Sequence, residues 1–355
     1  MTKICFFEKE FVVFELMRYI DVTKLLNSTK LLKNVKKKFI YRKLNKIYSL
    51  EYYNDEEFRN IIHNSITNPN KQISLNLSQC NNITDVTALW NVHTLILWGC
   101  ENIIDVSALR NVHTLDLSQC QNIIDVSALG NVHTLSFKGC ENITDVSALG
   151  NVHILDLSHC WSIVDVSALG RVYTLDLTHC SNIIDVSALG RVHILKLFCC
   201  DKITDVSALG NVHELDLSYC REITDVSSLG KVYKLYLRGC EYITDVSALG
   251  NVHILDLSFC GNITDVSALG KVHNLSLNYC QKITDVSALG NIHTLNLSDC
   301  NITDVSALGN VHTLDLNECD NITDVSALVN VHTLKLFNYV KIIDVSALGN
   351  VHIIR

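Results

Sequence analysis

Residues 141–160 read ENITDVSALGNVHILDLSHC, and close variants of this stretch follow one another from Asn81 to Arg355. Within each variant the apolar residues are spaced by 3, 3, 2, 3, 3, 3 and 3 residues, which makes a repeat of 20. In one copy they are Leu109, Val112, Leu115, Leu117, Cys120, Ile123, Val126 and Leu129. A repeat this short cannot bury its apolar edge alone, so the sequence predicts a solenoid in which the repeats stack as rungs.

The single spacing of two residues predicts one short strand in each rung, because strand side chains alternate between two faces. In Thr114–Ser118, Leu115 and Leu117 are expected to face the core, while Thr114, Asp116 and Ser118 face outward. Asp125 precedes a possible helical turn and Gly130 follows it, as an N-cap residue and a C′ glycine would. The predicted fold class is therefore an α/β repeat solenoid, with parallel strands and short 3₁₀ or α turns on the convex side.

A known family resembles this pattern. Val112-x-x-Leu115-x-Leu117-x-x-Cys120 is similar to the LxxLxLxxN/C core of leucine-rich repeats. The continuation CENITDVSAL at Cys140–Leu149 resembles the cysteine-containing subtype known from F-box/leucine-rich-repeat proteins. The resemblance covers roughly residues 71–355, although a 20-residue rung is shorter than is usual for that subtype. It implies a protein–protein interaction module.

Charge is divided unevenly along the 355 residues. Residues 1–50 carry twelve Lys or Arg and four acids, a balance of +8, whereas the rest carries 17 bases and 33 acids, a balance of −16. This division fits different partners for the two parts or ordinary solubility, and both readings stay open. Ile4–Phe7 is too short for a signal peptide and no segment is long enough to span a membrane, so a cytoplasmic or nuclear protein is expected.

Residues 8 to about 66 are predicted to be helical, including a segment through Phe39, Ile40 and Leu44 and a last helix capped by Asp55. The first strand is expected at Ile73–Leu77. These patterns divide the chain into a helical N-terminal cap, residues 1–70, and a leucine-rich repeat solenoid, residues 71–355.

The segment Phe11–Val35 resembles an F-box, although the usual Leu-Pro opening is absent. The resemblance implies that this segment binds the Skp-type adaptor of cullin ubiquitin ligases, through apolar residues of its helices: Phe11, Leu16, Ile20, Leu25 and Leu26. The alternative is a helical cap with no adaptor, since a solenoid needs its end covered. The basic run at Lys36–Lys38 indicates a solvated face more often than a nucleic-acid site, so nucleic acid is not an expected partner.

Three residue types recur in register along the repeats. Thirteen cysteines follow the period, and they are expected to be buried and reduced, with neither disulfides nor a metal site, because a row of parallel thiols does not converge. Histidine, or tyrosine at Tyr173 and Tyr233, recurs at the start of each strand and predicts a flat packing role. An aspartate in each rung is expected to cap the helical turn rather than bind calcium. No cofactor is expected.

The outward positions vary between rungs, and they are the predicted binding surface for a protein partner. The predicted partner-binding residues are aspartates on the strands together with large rings beyond them: Asp116, Asp156, His159, Trp161, Asp176, His179, Phe198, Asp216, Tyr219, Asp256, Phe259 and Tyr279. Random variation on a repetitive surface is the alternative. No catalytic constellation stands out, so the predicted function is non-enzymatic: the substrate-recognition subunit of a cullin-type ubiquitin ligase, or else an interaction scaffold without a ligase.

Overall fold

The structure is a computed structural model of the chain, and it describes residues 41–65, 72–336, 348–349 and 351–354. The chain divides into two compact units. The first contains residues up to Asn76 together with Val92–Thr94, and the second contains Leu77–Asn91 and the residues from Leu95 onward. The predicted adaptor-binding residues, Phe11 to Leu26, lie outside the described residues.

In the first unit, two helices follow each other along the chain between two strands that pair with each other. Strand β1 (Tyr41–Lys43) runs parallel to β2 (Gln72–Asn76), and the helices are α1 (Lys46–Asn54) and α2 (Glu56–Ser65). The backbone N–H of Asn76 donates to the buried Ser49 hydroxyl at 3.0 Å, which attaches α1 to β2. The helix predicted through Leu44 is wrong at β1, because Tyr41–Lys43 pairs with β2 instead of bonding to its own preceding turn.

The helix predicted to be capped by Asp55 is confirmed. Asp55 Oδ1 accepts from the backbone N–H groups of Glu57 and Phe58 at 2.8 and 3.1 Å, which satisfies donors that lack partners at the start of α2. Tyr52 is fully buried and its hydroxyl lies 2.7 Å from His63 Nε2. Burial raises the pKa of Tyr52 to about 12.

The second unit is the predicted solenoid, with one short strand in each rung. The strands of the rungs are β3 (Thr94–Ile96), β4 (Thr114–Asp116), β5 (Thr134–Ser136), β6 (Ile154–Asp156), β7 (Thr174–Asp176), β8 (Ile194–Lys196), β9 (Glu214–Asp216), β10 (Lys234–Tyr236), β11 (Ile254–Asp256), β12 (Asn274–Ser276), β13 (Thr294–Asn296), β14 (Thr313–Asp315), β15 (Thr333–Lys335) and β16 (His352–Ile354). From β4 to β15 they pair in parallel and in the order of the sequence, each leucine beside the leucine of the next rung, as Leu215, Leu235 and Leu255 are, and in the last pair Leu334 lies beside Ile353.

Between strands the chain passes through a short 3₁₀ helix. These helices are Thr87–Leu89, Ser107–Leu109, Ser127–Leu129, Ser147–Asn151, Ser167–Leu169, Ser187–Leu189, Ser207–Asn211, Ser227–Leu229, Ser247–Asn251, Ser267–Leu269, Ser287–Leu289, Ser306–Leu308 and Ser326–Leu328. Asp125 Oδ1 accepts from Ser127 N–H at 2.9 Å, and the same contact recurs in the other rungs, so the predicted capping role of this aspartate is confirmed. The N-cap residue itself is Val126, one position later than predicted.

Gly130 does not have the left-handed conformation that a C′ glycine would. Its φ is −61°, in the right-handed region. The reason for glycine is space: a Cβ atom at Gly130 would lie 2.3 Å from the carbonyl oxygen of Ala148 in the next rung. Gly130 does follow the last residue of the 3₁₀ helix, but it is glycine because close stacking of the rungs leaves no room for a side chain.

The in-register cysteines, from Cys80 to Cys319, are buried and free. Each thiol from Cys100 onward donates to a backbone carbonyl of the rung before it, as Cys140 Sγ does to Leu117 O at 3.2 Å. The predicted burial is confirmed, and each thiol links its rung to the one before it. Burial raises the pKa of the Cys140 thiol to about 12.

Candidate protein-binding surface

Six rings form a row beside the carboxyl ends of the strands. We call this row the aromatic ladder: His159, His179, Phe198, Tyr219, Phe259 and Tyr279. His159 stacks on His179 with ring centroids 4.6 Å apart, and Phe259 stacks on Tyr279 at the same distance. Phe198 stands edge-on to His179 at 5.4 Å and to Tyr219 at 5.3 Å. The structure therefore brings together the ring residues that the sequence predicted, with Trp161 as the exception.

Arg238 fills the one rung of this row that lacks a ring. Its Nε donates to the Tyr219 hydroxyl at 3.1 Å, and its guanidinium lies 4.7 Å from the centroid of the Phe259 ring. In that rung the position in line with Tyr219 is Gly239, where a Cβ atom would stand 2.6 Å from Tyr219 Cδ1. Gly239 leaves the space that the Tyr219 ring occupies, and Arg238 connects Tyr219 to Phe259. Sequence reasoning did not find Arg238, because its rung carries no ring at that position.

Five rings of the ladder stand on left-handed backbone. The φ angles of His159, His179, Tyr219, Phe259 and Tyr279 are 62°, 61°, 60°, 63° and 62°. The conformation arises because the residue before each cysteine ends the pairing between rungs: His159 N–H donates to Thr178 O, and the next amide, of Cys160, turns back to Leu157 O. Side chains other than glycine adopt it at a cost of about 1 kcal/mol, and bulky ones rarely do.

The same position holds non-aromatic residues elsewhere in the array. Gln119, Asp299 and Glu318 have φ angles of 62°, 56° and 56°, and Gly139 has 72°. The rungs on either side of the ladder therefore make the same turn without a ring. The rings are not required by the turn, which leaves their presence in successive rungs to be explained by another role.

The aspartates of the strand column are half-buried and engaged by the backbone. Asp156, Asp176, Asp216 and Asp256 each accept, through Oδ1, from the backbone N–H two residues later, at 2.9–3.0 Å. Asp116 makes the same contact with Ser118. We call these five the strand aspartates. They lie on the strand face as predicted, but part of their hydrogen-bonding capacity stabilises the following turn.

The serine two residues after a strand aspartate was expected to face outward, and this expectation is wrong. Ser118, Ser158, Ser218 and Ser258 are buried. Each lies two residues past the last strand residue, in the turn that leads to the cysteine, so the strand ends two residues earlier than the pattern suggested.

Trp161 lies apart from the aromatic ladder. It follows Cys160 and its side chain is 48% exposed, and in the described residues no ring contact joins it to the ladder. Its carbonyl accepts from Asn182 Nδ2 at 2.8 Å, a contact between rungs that other copies also make. Trp161 is an exposed ring near the first rung of the ladder and not a member of it.

Cys199 occupies the left-handed position of the rung that carries Phe198, with a φ of 57°. It is half-exposed, whereas the other described thiols are buried. Burial is the main cause that raises its pKa, and the carboxylates of Asp201 and Asp216 act in the same direction. The thiol is therefore unactivated, but it lies within the row of rings.

A second row of rings borders the amino ends of the strands. We call it the imidazole ladder: His113, His133, His153, Tyr173, His193, His213, Tyr233, His253, His273, His293, His312 and His332. Neighbouring centroids are 4.5–4.9 Å apart. In several rungs Nδ1 lies within hydrogen-bonding distance of the next threonine, as between His113 and Thr114 at 3.2 Å. The predicted packing role at the strand start is confirmed.

The strand face is thus a flat strip between two rows of rings, with aspartates along it. Across the described residues, no three His, Cys, Asp or Glu side chains are placed to hold a metal ion. Stacked imidazoles direct their nitrogens side by side and not at a common point, which is the geometric reason. This arrangement offers an extended surface and no enclosed centre.

Known proteins share this architecture. The family profile described as Leucine Rich repeat matches residues 291–309. An internalin (InlF) of Listeria monocytogenes aligns over 86% of this chain and 92% of its own, with 21% identity and a TM-score of 0.55. The fold is a leucine-rich repeat solenoid.

Two further solved structures share the leucine-rich repeat fold. A leucine-rich repeat protein of Leptospira interrogans aligns over 81% of this chain and 84% of its own, with 20% identity and a TM-score of 0.60. The functional domain of InlJ from Listeria monocytogenes, described as including a cysteine ladder, aligns over 75% of this chain and 68% of its own, with 24% identity and a TM-score of 0.54. No curated protein sequence matches the chain significantly. Among the helices of the described residues, none is long and apolar enough to cross a membrane.

Proposed function

We propose that this leucine-rich repeat solenoid is a protein-binding module whose contact surface is the strand face from Asp156 to Tyr279, bordered by the aromatic ladder. The observation that carries the proposal is the row of rings on left-handed backbone. The turn needs the left-handed conformation but not a bulky ring, so a role in binding is the natural explanation for large rings at this costly position in neighbouring rungs. Aromatic and arginine side chains are also the residues that contribute most to protein interfaces.

The flanking rungs argue against a purely structural role for the rings. Gln119 makes the same turn over Gly139 that Tyr219 makes over Gly239. Stability therefore does not select tyrosine over glutamine at this position. A binding site, by contrast, requires large side chains in neighbouring rungs so that their contact area is continuous.

A displayed library of random peptides tests this function. We expect the full chain to enrich peptides that bind the wild type and lose at least about tenfold in affinity when Tyr219 and Phe259 are both changed to Gln, since each anchoring ring contributes 1 kcal/mol or more. The matched control is Gln119→Ala, which alters the same position outside the ladder and should leave binding unchanged. Peptides that bind all three proteins equally, or no enrichment at all, would refute the surface.

A finer hypothesis assigns the module to a cullin-type ubiquitin ligase. It rests on the F-box resemblance of Phe11–Val35 and on the excess positive charge of residues 1–50. In that hypothesis the strand face binds the substrate, the N-terminal segment binds the Skp-type adaptor, and the protein acts in the cytoplasm or nucleus. The alternative is a scaffold without a ligase.

Purified adaptor distinguishes the two. The ligase hypothesis expects the full chain to retain a Skp-type adaptor in a pull-down, and expects Leu25→Asp or Leu26→Asp to abolish retention without changing the thermal unfolding of the repeats. If the wild type retains no adaptor, the scaffold remains as the function.

A further inference from the structure

We propose that the partner segment bound at the aromatic ladder is extended and rich in arginine, with its guanidinium groups placed against the rings and near the strand aspartates. This inference rests on the proposed protein-binding function and adds the chemistry of the partner. Three observations support it: a guanidinium that already occupies the ladder, the charge of the strand face and the length of the row.

The first observation is the position of Arg238. Its guanidinium sits between two rings of the ladder, with a hydrogen bond to the Tyr219 hydroxyl and a ring contact with Phe259 at 4.7 Å. The planar, weakly hydrated guanidinium binds ring faces and hydroxyl groups together, which the compact ammonium of lysine does less well. The chain's own arginine therefore shows that the spacing of these rings admits a guanidinium.

The second observation is uncompensated negative charge on the same face. Lys196 pairs with Asp176 at 3.2 Å, and Lys234 pairs with Glu214 at 2.9 Å. In the described residues no basic side chain pairs with Asp156, Asp216 or Asp256, although their carboxylates accept backbone N–H groups. The surface along the ladder is therefore acidic, which favours a cationic partner and disfavours a nucleic acid.

The acidic character continues beyond the last ring. Asp299 occupies the position in line with Tyr279 one rung later, and Glu318 occupies it in the rung after that. Burial first, and then the neighbouring Glu318 carboxylate, raises the pKa of Asp299. A guanidinium that stacks on Tyr279 at this end would meet these two carboxylates.

The third observation is length. The ladder spans seven rungs, six with a ring and one with Arg238, and their six steps of about 4.8 Å give about 29 Å. An extended peptide rises about 3.4 Å per residue, so about eight or nine residues cover the row. Side chains on one face of such a peptide recur every second residue, so arginine at alternate positions would place several guanidinium groups along the strip.

The test uses the full chain and a fluorescein-labelled decapeptide of alternating Arg and Ser. A second peptide carries citrulline in place of each Arg, which keeps the shape and removes the charge. We expect fluorescence anisotropy to show binding of the Arg peptide at least about tenfold tighter than of the citrulline peptide, and weakening as salt is raised, because both ring contacts and charge pairs are lost.

Matched variants locate the site. Asp216→Asn and Tyr219→Gln should each weaken binding of the Arg peptide about threefold or more. Asp315→Asn is the control, because Asp315 makes the same backbone contact, with Asn317 N–H, is already paired with Lys335 and has no ring of the ladder beside it. In a Cys5→Ser background, the bound peptide should also slow the modification of half-exposed Cys199.

Each outcome distinguishes this inference from the function on which it rests. The arginine inference is overturned if the Arg and citrulline peptides bind alike. The protein-binding function still stands in that case if the library yields acidic or apolar peptides whose binding Tyr219→Gln abolishes. Tighter binding of a labelled single-stranded RNA than of the Arg peptide would also overturn it. If no peptide binds in a manner that depends on the ladder, the function itself fails.

Discussion

Gly250 lies against Ala268 of the following rung, and a Cβ atom built on Gly250 would stand 2.3 Å from the Ala268 carbonyl oxygen. The same approach recurs at most of the glycines in this position. Near the ends of the array, Arg110 and Val329 occupy it with the same right-handed backbone, so the rungs there leave space that the middle ones do not. Close stacking in the middle of the array therefore depends on the absence of a side chain.

Gly250→Ala is expected to lower the free energy of unfolding by about 1–3 kcal/mol, because the added methyl group forces two packed rungs apart. Urea unfolding followed by circular dichroism measures the change. Gly261→Ala is the matched control, since nothing lies within 4 Å of a Cβ atom at Gly261. Equal effects of the two substitutions would contradict the steric explanation.

The strain at the left-handed position can be tested by comparing the stabilities of glycine and alanine variants at two sites. At Glu318, with a φ of 56°, the Gly variant should be more stable than the Ala variant by about 1 kcal/mol, because glycine has no Cβ penalty there. At Glu101, which lies outside the left-handed positions, Ala should be the more stable. Urea unfolding of the four variants provides the comparison, and an Ala preference at both sites would show that the turn is not strained.

The cysteines should react in two classes. In a Cys5→Ser background, one thiol, Cys199, should react with a water-soluble thiol reagent in the native protein, while the thirteen buried thiols react only after denaturation. Burial raises the pKa of Cys120 and of Cys180 to about 12, so these thiols carry almost no reactive thiolate. Cys199→Ser should remove the native reaction. Rapid native labelling that survives Cys199→Ser would contradict the buried column.

Acidification should destabilise the imidazole ladder. The pKa values of His133 and His273 are lowered, first by burial and then by the neighbouring imidazoles, so the unfolded chain binds protons at a higher pH than the folded one. The contribution of these histidines to the free energy of unfolding is therefore present above the ordinary histidine pKa of about 6.5, and it is lost as the pH falls below that value. The aspartates that cap the 3₁₀ helices also have lowered pKa values, as at Asp125 through its hydrogen bonds with Ser127, so they stay ionised across this pH range.

Urea midpoints at pH 7.5 and 5.5 measure this effect. His273→Tyr should reduce the difference between them, because tyrosine already stacks in the ladder at Tyr173 and does not become charged in this range. Tyr233→Phe is the control and should leave the pH difference unchanged. A wild-type midpoint that does not fall with pH would contradict the linkage.

The residue types that recur in register were predictable, because each position of the repeat has an equivalent in many other copies. Leucine at a spacing of two indicated the strand, and histidine or tyrosine in register indicated stacked rings. The conformation at His159 was not predictable, since histidine, glutamine and glutamate reveal nothing about the sign of φ. The reason for Gly130 was also hidden, because the clash involves the neighbouring rung and local sequence suggested a helix terminus. β1 was missed because its hydrogen bonds go to β2, about 30 residues later.

Most residues of the candidate surface were predictable from the sequence, but the contacts among them were not. The aspartates were predicted as partner-binding residues, and the sequence did not reveal that their carboxylates accept a backbone N–H of the following turn, as Asp216 does from Ser218. Arg238 was not predicted, because comparison of equivalent positions shows only that its rung lacks a ring. The Arg238 side chain is long enough to contact both Tyr219 and Phe259, and an alignment of the repeats does not show this contact.

The rung from Asn301 to Cys319 is one residue shorter than its neighbours, yet it continues the stack: Leu314 pairs with Leu295, His312 stacks on His293 at 4.6 Å, and Cys319 donates to Leu297 O at 3.0 Å. The array therefore absorbs a small length error in a loop without losing its register. Whole rungs should be exchanged even more readily, since a duplicated or deleted unit leaves identical partners on each side of the junction. The length of the strand face can thus grow or shrink in steps of one repeat, with no new fold to evolve.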